Sequence, residues 1–221
     1  MAQRTDAKQR AKLTRERVVA AALRIVDEEG PDAVSMRRVG RELGVEAMSL
    51  YHHVHDKDDL LMAIREQVLS EFVDPGTDGE WEMRARRAAR SWREVLRAHP
   101  NAIGLISAPK HFAITPTALR PTETALRLLR EVGLSEDDAV KAFCALGGFI
   151  VGFVMFEIGV TRAPSFGDQP PTPQALMATF PSEDFPCFMT SLPYLMSGDI
   201  DERFEYGLDL LIAGIRSKST D

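Results

Sequence analysis

The sequence predicts an all-α protein of nine to ten helices, a small N-terminal group of three followed by a larger helical domain. Three features predict it. Apolar residues recur with a period near 3.6 along almost the whole chain. No segment alternates apolar and polar residues over the length of a strand. Capping residues, glycines and prolines fall where helices of that period should begin and end.

In "LTRERVVAAALRIVDEEG", Val18, Ala22, Ile25 and Val26 share a face, Thr14 is placed as N-cap, and Gly30-Pro31 ends the run. "SMRRVGREL" is a second helix of two turns, with Ser35 as N-cap and Gly44 placed to end it in a left-handed conformation. "VEAMSLYHHV" is a short third helix. Asp56 then caps a fourth, "KDDLLMAIREQVLSEF", in which Leu60, Leu61, Ile64, Val68 and Phe72 form the buried stripe. After the turn-rich "DPGTDGE", "WEMRARRAARSWREVLRAHP" turns Trp81, Ala85, Ala88, Trp92 and Val95 inward and leaves Arg86, Arg90, Arg93 and Arg97 as a solvated stripe.

"NAIGLISA" is a short element. "RPTETALRLLREVG" is a helix with Pro121 in its first turn and Gly133 as its stop. Ser135 caps the long "EDDAVKAFCALGGFIVGFVMFEIG", apolar nearly all round and therefore expected to be buried on more than one side. Residues 161–188 hold six of the thirteen prolines and read as a long loop with room for one short helix. "MTSLPYLM" is a ninth helix around Pro193, and "IDERFEYGLDLLIAGIRSK" is the last, with Phe204, Leu208, Leu211 and Ile215 on one face.

The composition, 44% apolar and 27% charged, is that of a soluble globular protein. The fifteen-residue apolar run Ala142–Phe156 is short for a bilayer span, so no membrane partner is expected. The polar N-terminus lacks a secretory signal, and Cys144 and Cys187 read as two buried thiols in a reducing cytoplasm. The net charge of −6 hides an asymmetry. Residues 1–57 carry eleven Lys and Arg against nine Asp and Glu, while the other 164 residues carry sixteen against twenty-four. A basic head on an acidic body suits a chain that meets a polyanion at one end.

The stretch "VEAMSLYHHVHDKDD" holds three of the five histidines. His52 and His55 are three residues apart and would supply at most half a structural zinc site, and no cysteine or H-E-x-x-H spacing accompanies them. No nucleophile motif or phosphate loop occurs either, so neither metal, cofactor nor enzyme activity is expected. A helix-turn-helix explains the stretch better. Two short helices meet through the glycine-bearing "ELGVE", and the second is poised to enter a major groove. Val39, Leu43, Val45, Leu50 and Val54 are spaced to pack inward, leaving Glu46, Ala47, Met48, Ser49, Tyr51, His52 and His53 outward. Small side chains permit close approach to base edges, while Tyr, His and Ser offer donors to phosphate oxygens. Lys57, at the start of the next helix, adds a cation where free backbone N–H groups already favour phosphate.

"TRERVVAAALRIVDEEG" and "SMRRVGRELGVEAMSLYHHVHDKDDLL", with the spacing between them, resemble the N-terminal domain of the tetracycline-repressor (TetR) family over roughly residues 12 to 72. The resemblance implies that Ser35 and Arg37 touch the DNA backbone near the start of the second helix. It likewise puts Ala47, Met48 and Ser49 on bases, and Tyr51, His53 and Lys57 on phosphates. Ala47 and Met48 offer no hydrogen bond, so readout is expected to lean on thymine methyl groups, Ser49, Arg37 and DNA shape. The expected division is 1–56 for the arm and helix-turn-helix, and 57–221 for a helical regulatory domain, helix four (57–73) connecting them.

A protein that reads two half-sites must dimerise. Small residues Gly148 and Gly152 on the long helix, and Gly207 and Gly214 beside Leu211 on the last, are candidates for close helix approach. The resemblance implies that these helices pair with their symmetry mates as a four-helix bundle. The opposite face of the long helix, with Phe143, Gly147 and Ile150, is a candidate lining for an effector pocket. Trp92, Leu96, His99, Ile103, His111 and Phe112 complete that candidate lining. Its low polarity points to a largely apolar small molecule. The expected function is therefore a cytoplasmic, homodimeric repressor that leaves a palindromic double-stranded operator when its effector binds. Its rivals are an activator, or a carrier or enzyme on the same fold that does not bind DNA.

Overall fold

The computed structural model of the protein describes residues 12–107, 115–162, 172 and 183–219, and the side chains of all of these but 107 and 160–162. Among the described residues there are ten α-helices and no strand. They are α1 Arg15–Glu29, α2 Met36–Leu43, α3 Ala47–Leu50, α4 Lys57–Ser70, α5 Trp81–Ala98, α6 Ile103–Ser107, α7 Pro116–Glu131, α8 Glu136–Arg162, α9 Pro186–Ser197 and α10 Ile200–Arg216. Two 3-10 turns, Pro31–Ala33 and Pro100–Ala102, precede α2 and α6. The N-terminal eleven residues of the basic arm, and most of the proline-rich 163–182, lie outside the described residues.

The chain forms two compact units, one within Met1–Asp74 and Glu94–Glu123, the other within Pro75–Arg93 and Thr124–Asp221. In the first, α1 packs on α2, α4 and the 3-10 turn Pro100–Ala102, and α6 packs on α4. Val18, Ile25, Val26, Val39, Leu50, Val54, Leu60 and Ile64 fill its core. The expected boundary after residue 56 thus falls between α3 and an α4 that belongs to the same packed unit. In the second unit α8 packs along α10, and Leu129, Leu134, Ala139 and Ile215 form a core that Trp81, Phe143 and Leu146 flank.

Several details differ from the sequence expectations. α7 begins at Pro116, with Thr115 accepting from the Ala118 N–H at 3.1 Å, so Pro121 lies inside the helix and not in its first turn. Thr-Pro is the better start, because proline at the first helical position has no N–H to leave unpaired. α9 starts at Pro186, before the predicted segment, and runs through Pro193. Cys144 and Cys187 are both exposed, not buried.

The arginine stripe of α5 is not merely solvated. Arg86 bonds Asp209, Arg90 bonds Glu205, and Arg93 bonds Asp201 and Glu157. These rungs follow the four-residue spacing of the α10 acids in antiparallel order. Arg93 is itself buried and sits over the Phe204 ring, 4.5 Å from its centroid.

The long helix also departs from expectation, since only 17% of its apolar stretch Glu136–Gly159 is buried within the chain. By length and composition that stretch would suffice for a membrane span. Its buried Glu157, paired with Arg93, and its open glycine-lined side suit a contact with another helix instead.

Candidate nucleic-acid interface

The helix-turn-helix is built on a close approach of backbones. A Cβ on Gly40 of α2 would lie 2.9 Å from the Val45 carbonyl oxygen and 3.3 Å from the Ala47 nitrogen, too near for any side chain without movement. The Val45 N–H donates to the Gly40 carbonyl at 2.9 Å, closing the turn. Gly44 ends α2 with φ 67° and ψ 34°, the left-handed conformation that glycine adopts without penalty. At the start of α2 the Ser35 hydroxyl accepts from the Arg38 N–H at 3.2 Å.

α3 is shorter than expected. Its four helical residues give way at Tyr51 to turns, in which the His53 and Val54 N–H groups both donate to the Leu50 carbonyl. Arg15 of α1 braces this exit, donating to the His53 carbonyl at 2.8 Å and to both carboxylate oxygens of Asp59. The Arg15 guanidinium holds the Asp59 carboxyl at about 2 despite partial burial, and the His55 N–H, 2.8 Å away, adds to the effect. Asp56 caps α4 through the Asp59 N–H at 2.8 Å. One carboxylate therefore ties together the first helix, the end of the recognition segment and the start of α4.

Around this frame lie the predicted contact residues. Met48 is 70% exposed, a large apolar side chain projecting from the first turn of α3. Tyr51, His52, Arg37 and Lys57 are exposed, while Ala47, Ser49 and His53 are half-buried beside them. Ser35 is exposed, its oxygen serving the cap. Sequence reasoning missed Gly40, the Arg15–Asp59 brace and the exposed Arg41. Only Gly40 left a trace, a glycine five residues before Val45 in a helix that otherwise has no need of one.

Residues 18–64 match the family described as bacterial regulatory proteins, tetR family, and residues 74–219 match the tetracyclin repressor-like, C-terminal domain. The chain belongs to the TetR family. Among its TetR-family relatives, the HTH-type transcriptional repressor DrrR1 of Streptomyces coeruleorubidus is 31% identical, the match spanning 92% of this chain and 77% of that protein. Tetracycline repressor protein class D of Escherichia coli is 30% identical, over 95% of this chain and 92% of that one. The structures of ActR from Streptomyces coelicolor, apo and in complex with actinorhodin, are each 31% identical and cover 96% of this chain and 100% of theirs. They match with TM-scores of 0.73 and 0.75. As a TetR-family member the chain is a DNA-binding transcriptional regulator.

The TetR-family regulatory residues predicted from sequence divide between the two units. Leu96, His99 and Ile103 fall in the first, and Trp92, Phe143, Gly147 and Ile150 in the second. His111 and Phe112 lie outside the described residues. His99 is buried, with Nδ1 2.9 Å from Asp27 of α1 and Nε2 3.0 Å from Glu71 at the end of α4, so neither ring nitrogen is left for a ligand. Of the predicted interface glycines, Gly148, Gly152 and Gly214 face open space. Gly207 does not: a Cβ there would lie 2.5 Å from the Phe149 ring, so this glycine seats α8 on α10 within one chain. Leu211 beside it is half-buried.

Proposed function

We propose that the protein is a homodimeric repressor, working in the cytoplasm, that binds an inverted-repeat operator and releases it when a small, largely apolar effector binds. The observation that carries it is the α3 surface. An exposed methionine stands there among Tyr51, His52 and the cations Arg37 and Lys57, which have no ion pair among the described residues, on a frame that Gly40 and the Arg15–Asp59 brace hold in place. In this proposal Ala47, Met48 and Ser49 meet base edges, Met48 against thymine methyl groups, while Ser35, Tyr51, His53 and Lys57 hold the backbone.

The effector side of the proposal assigns Trp92, Phe143, Gly147 and Ile150 to the lining. The charges of the same unit support an apolar ligand, because Arg84, Arg86, Arg90 and Arg93 are already paired with Glu131, Asp209, Glu205 and Glu157. A charged effector would have to break one of these pairs. Dimerisation is assigned to the open stripe of Gly148 and Gly152 on α8 and to Gly214 on α10, where small residues let helices of two subunits approach. Selection of bound duplexes from a random pool tests the proposal, followed by a panel of apolar and charged compounds assayed for release. An inverted repeat released only by apolar compounds is the expected result. Enrichment of no common sequence, or release by hydrophilic ions alone, would refute it.

A further inference from the structure

The charges of the first unit divide into a spent set and a free set. Arg15 is bonded to Asp59, Arg24 and Arg38 to Glu42, Arg38 also to Glu29, and buried Arg65 to the Ile106 carbonyl. Arg17 is engaged as well, donating to the Lys12 carbonyl. Among the described residues, only Arg37 and Arg41 of the arginines on α1, α2 and α4 carry no hydrogen bond or ion pair from their side chains. Glu42, the acid next to Arg41, is occupied by Arg38 and Arg24 and does not neutralise it.

Helix geometry places the free pair on one side. Gly40 points at the start of α3, where its Cβ position meets Val45 and Ala47. At about 100° per residue, Arg37 and Arg41 lie roughly 60° and 100° around α2 from Gly40, while Met36, Val39 and Leu43 lie on the other side. The second group is buried or half-buried and the first is exposed. The two arginines also stand about 6 Å apart along the helix axis. They therefore edge the same surface as Ala47 and Met48, and among the described residues no acid of their own unit pairs with them.

We propose that Arg41 is a DNA-phosphate contact, extending along α2 the backbone grip that begins at Arg37. The proposal deepens the repressor function above and rests on it. Its ligand is the phosphodiester backbone flanking the half-site, and its contribution is independent of sequence and dependent on salt.

The test is the salt dependence of binding to a fluorescein-labelled duplex of the selected sequence, for wild type, Arg41→Gln and Arg41→Lys. Each phosphate contact contributes about 0.9 to the slope of log affinity against log salt, so Arg41→Gln should lower the slope by that amount per half-site occupied. Between 50 and 200 mM salt, wild type then loses about 3.5-fold more affinity than the variant for each such contact. The ratio of affinities for the selected duplex and a one-base mismatch should stay unchanged, and Arg41→Lys should restore the slope. An unchanged slope in Arg41→Gln overturns the proposal, as does failure of Lys to restore it. A loss confined to one base pair also overturns it, making Arg41 a base contact. A helix-stabilising role alone would lower the thermal midpoint and leave the slope intact, which also contradicts it. Absence of salt-sensitive binding by the wild-type chain would instead sink the DNA-binding function itself, a distinguishable failure.

Discussion

At the scale of single residues, the most constrained group outside the α3 surface is His99. Burial disfavours its charged form, but hydrogen bonds to Asp27 and Glu71 outweigh that penalty and raise its pKa above the ordinary histidine value. Carboxylates only accept, so both contacts are satisfied together only by the imidazolium. Because the folded pKa lies above the unfolded one, this stabilisation is complete below the ordinary histidine pKa, near 6.5, and fades as pH rises through the folded value. His99→Gln should therefore lose about 1 kcal/mol at pH 6 relative to wild type, with the gap shrinking by pH 9, measured by urea unfolding. A gap that is constant with pH would contradict it. The sequence marked His99 as a polar group beside a candidate pocket. Its real partners lie 72 and 28 residues away, on helices whose packing no local pattern reveals.

At the scale of elements, helical period and caps made most boundaries legible. Thr14, Ser35, Asp56 and Ser135 all cap as their positions suggest. Two things were not legible, both because they depend on what lies opposite. α3 unwinds at Tyr51, where Arg15 takes the His53 carbonyl. The α5 arginines read as a solvated stripe because the acids that meet them are on α10, more than a hundred residues away for Arg86 and Arg90. These pairs differ in worth. Arg90 and Glu205 are half open to water, where an ion pair contributes at most about 1 kcal/mol. Arg93 and Glu157 are both buried, so water screens their attraction far less, and Arg93 also holds Asp201 and the Phe204 ring. Arg90→Ala should accordingly cost less than about 1 kcal/mol, whereas Arg93→Ala, which removes a buried ion pair together with contacts to Asp201 and Phe204, should cost clearly more. Equal losses in denaturant melts would show that the buried pair is not the keystone of that contact.

At the scale of the whole molecule, the proposed dimer rests on the α8 stripe. Met155 and Phe156 are more than half exposed beside the open Gly148 and Gly152, and on α10 Tyr206 and Leu210 are exposed near Gly214. This apolar surface on two adjacent helices supports the proposal that a second copy covers it. The double variant Gly148→Leu, Gly214→Leu should be a folded monomer by light scattering with operator binding lost; a variant that stays dimeric moves the interface elsewhere. The glycine spacing pointed to Gly148, Gly152 and Gly214, which do face open space. Gly207 was misassigned to it because the pattern cannot tell a glycine facing Phe149 of the same chain from one facing a partner. The most direct measurement of the central claim is selection of bound duplexes from a random pool by the intact protein. The account predicts an inverted repeat whose half-site centres lie one turn, roughly 34 to 36 Å, or a multiple of it apart. A single unrepeated site, or no enriched sequence at all, would contradict it.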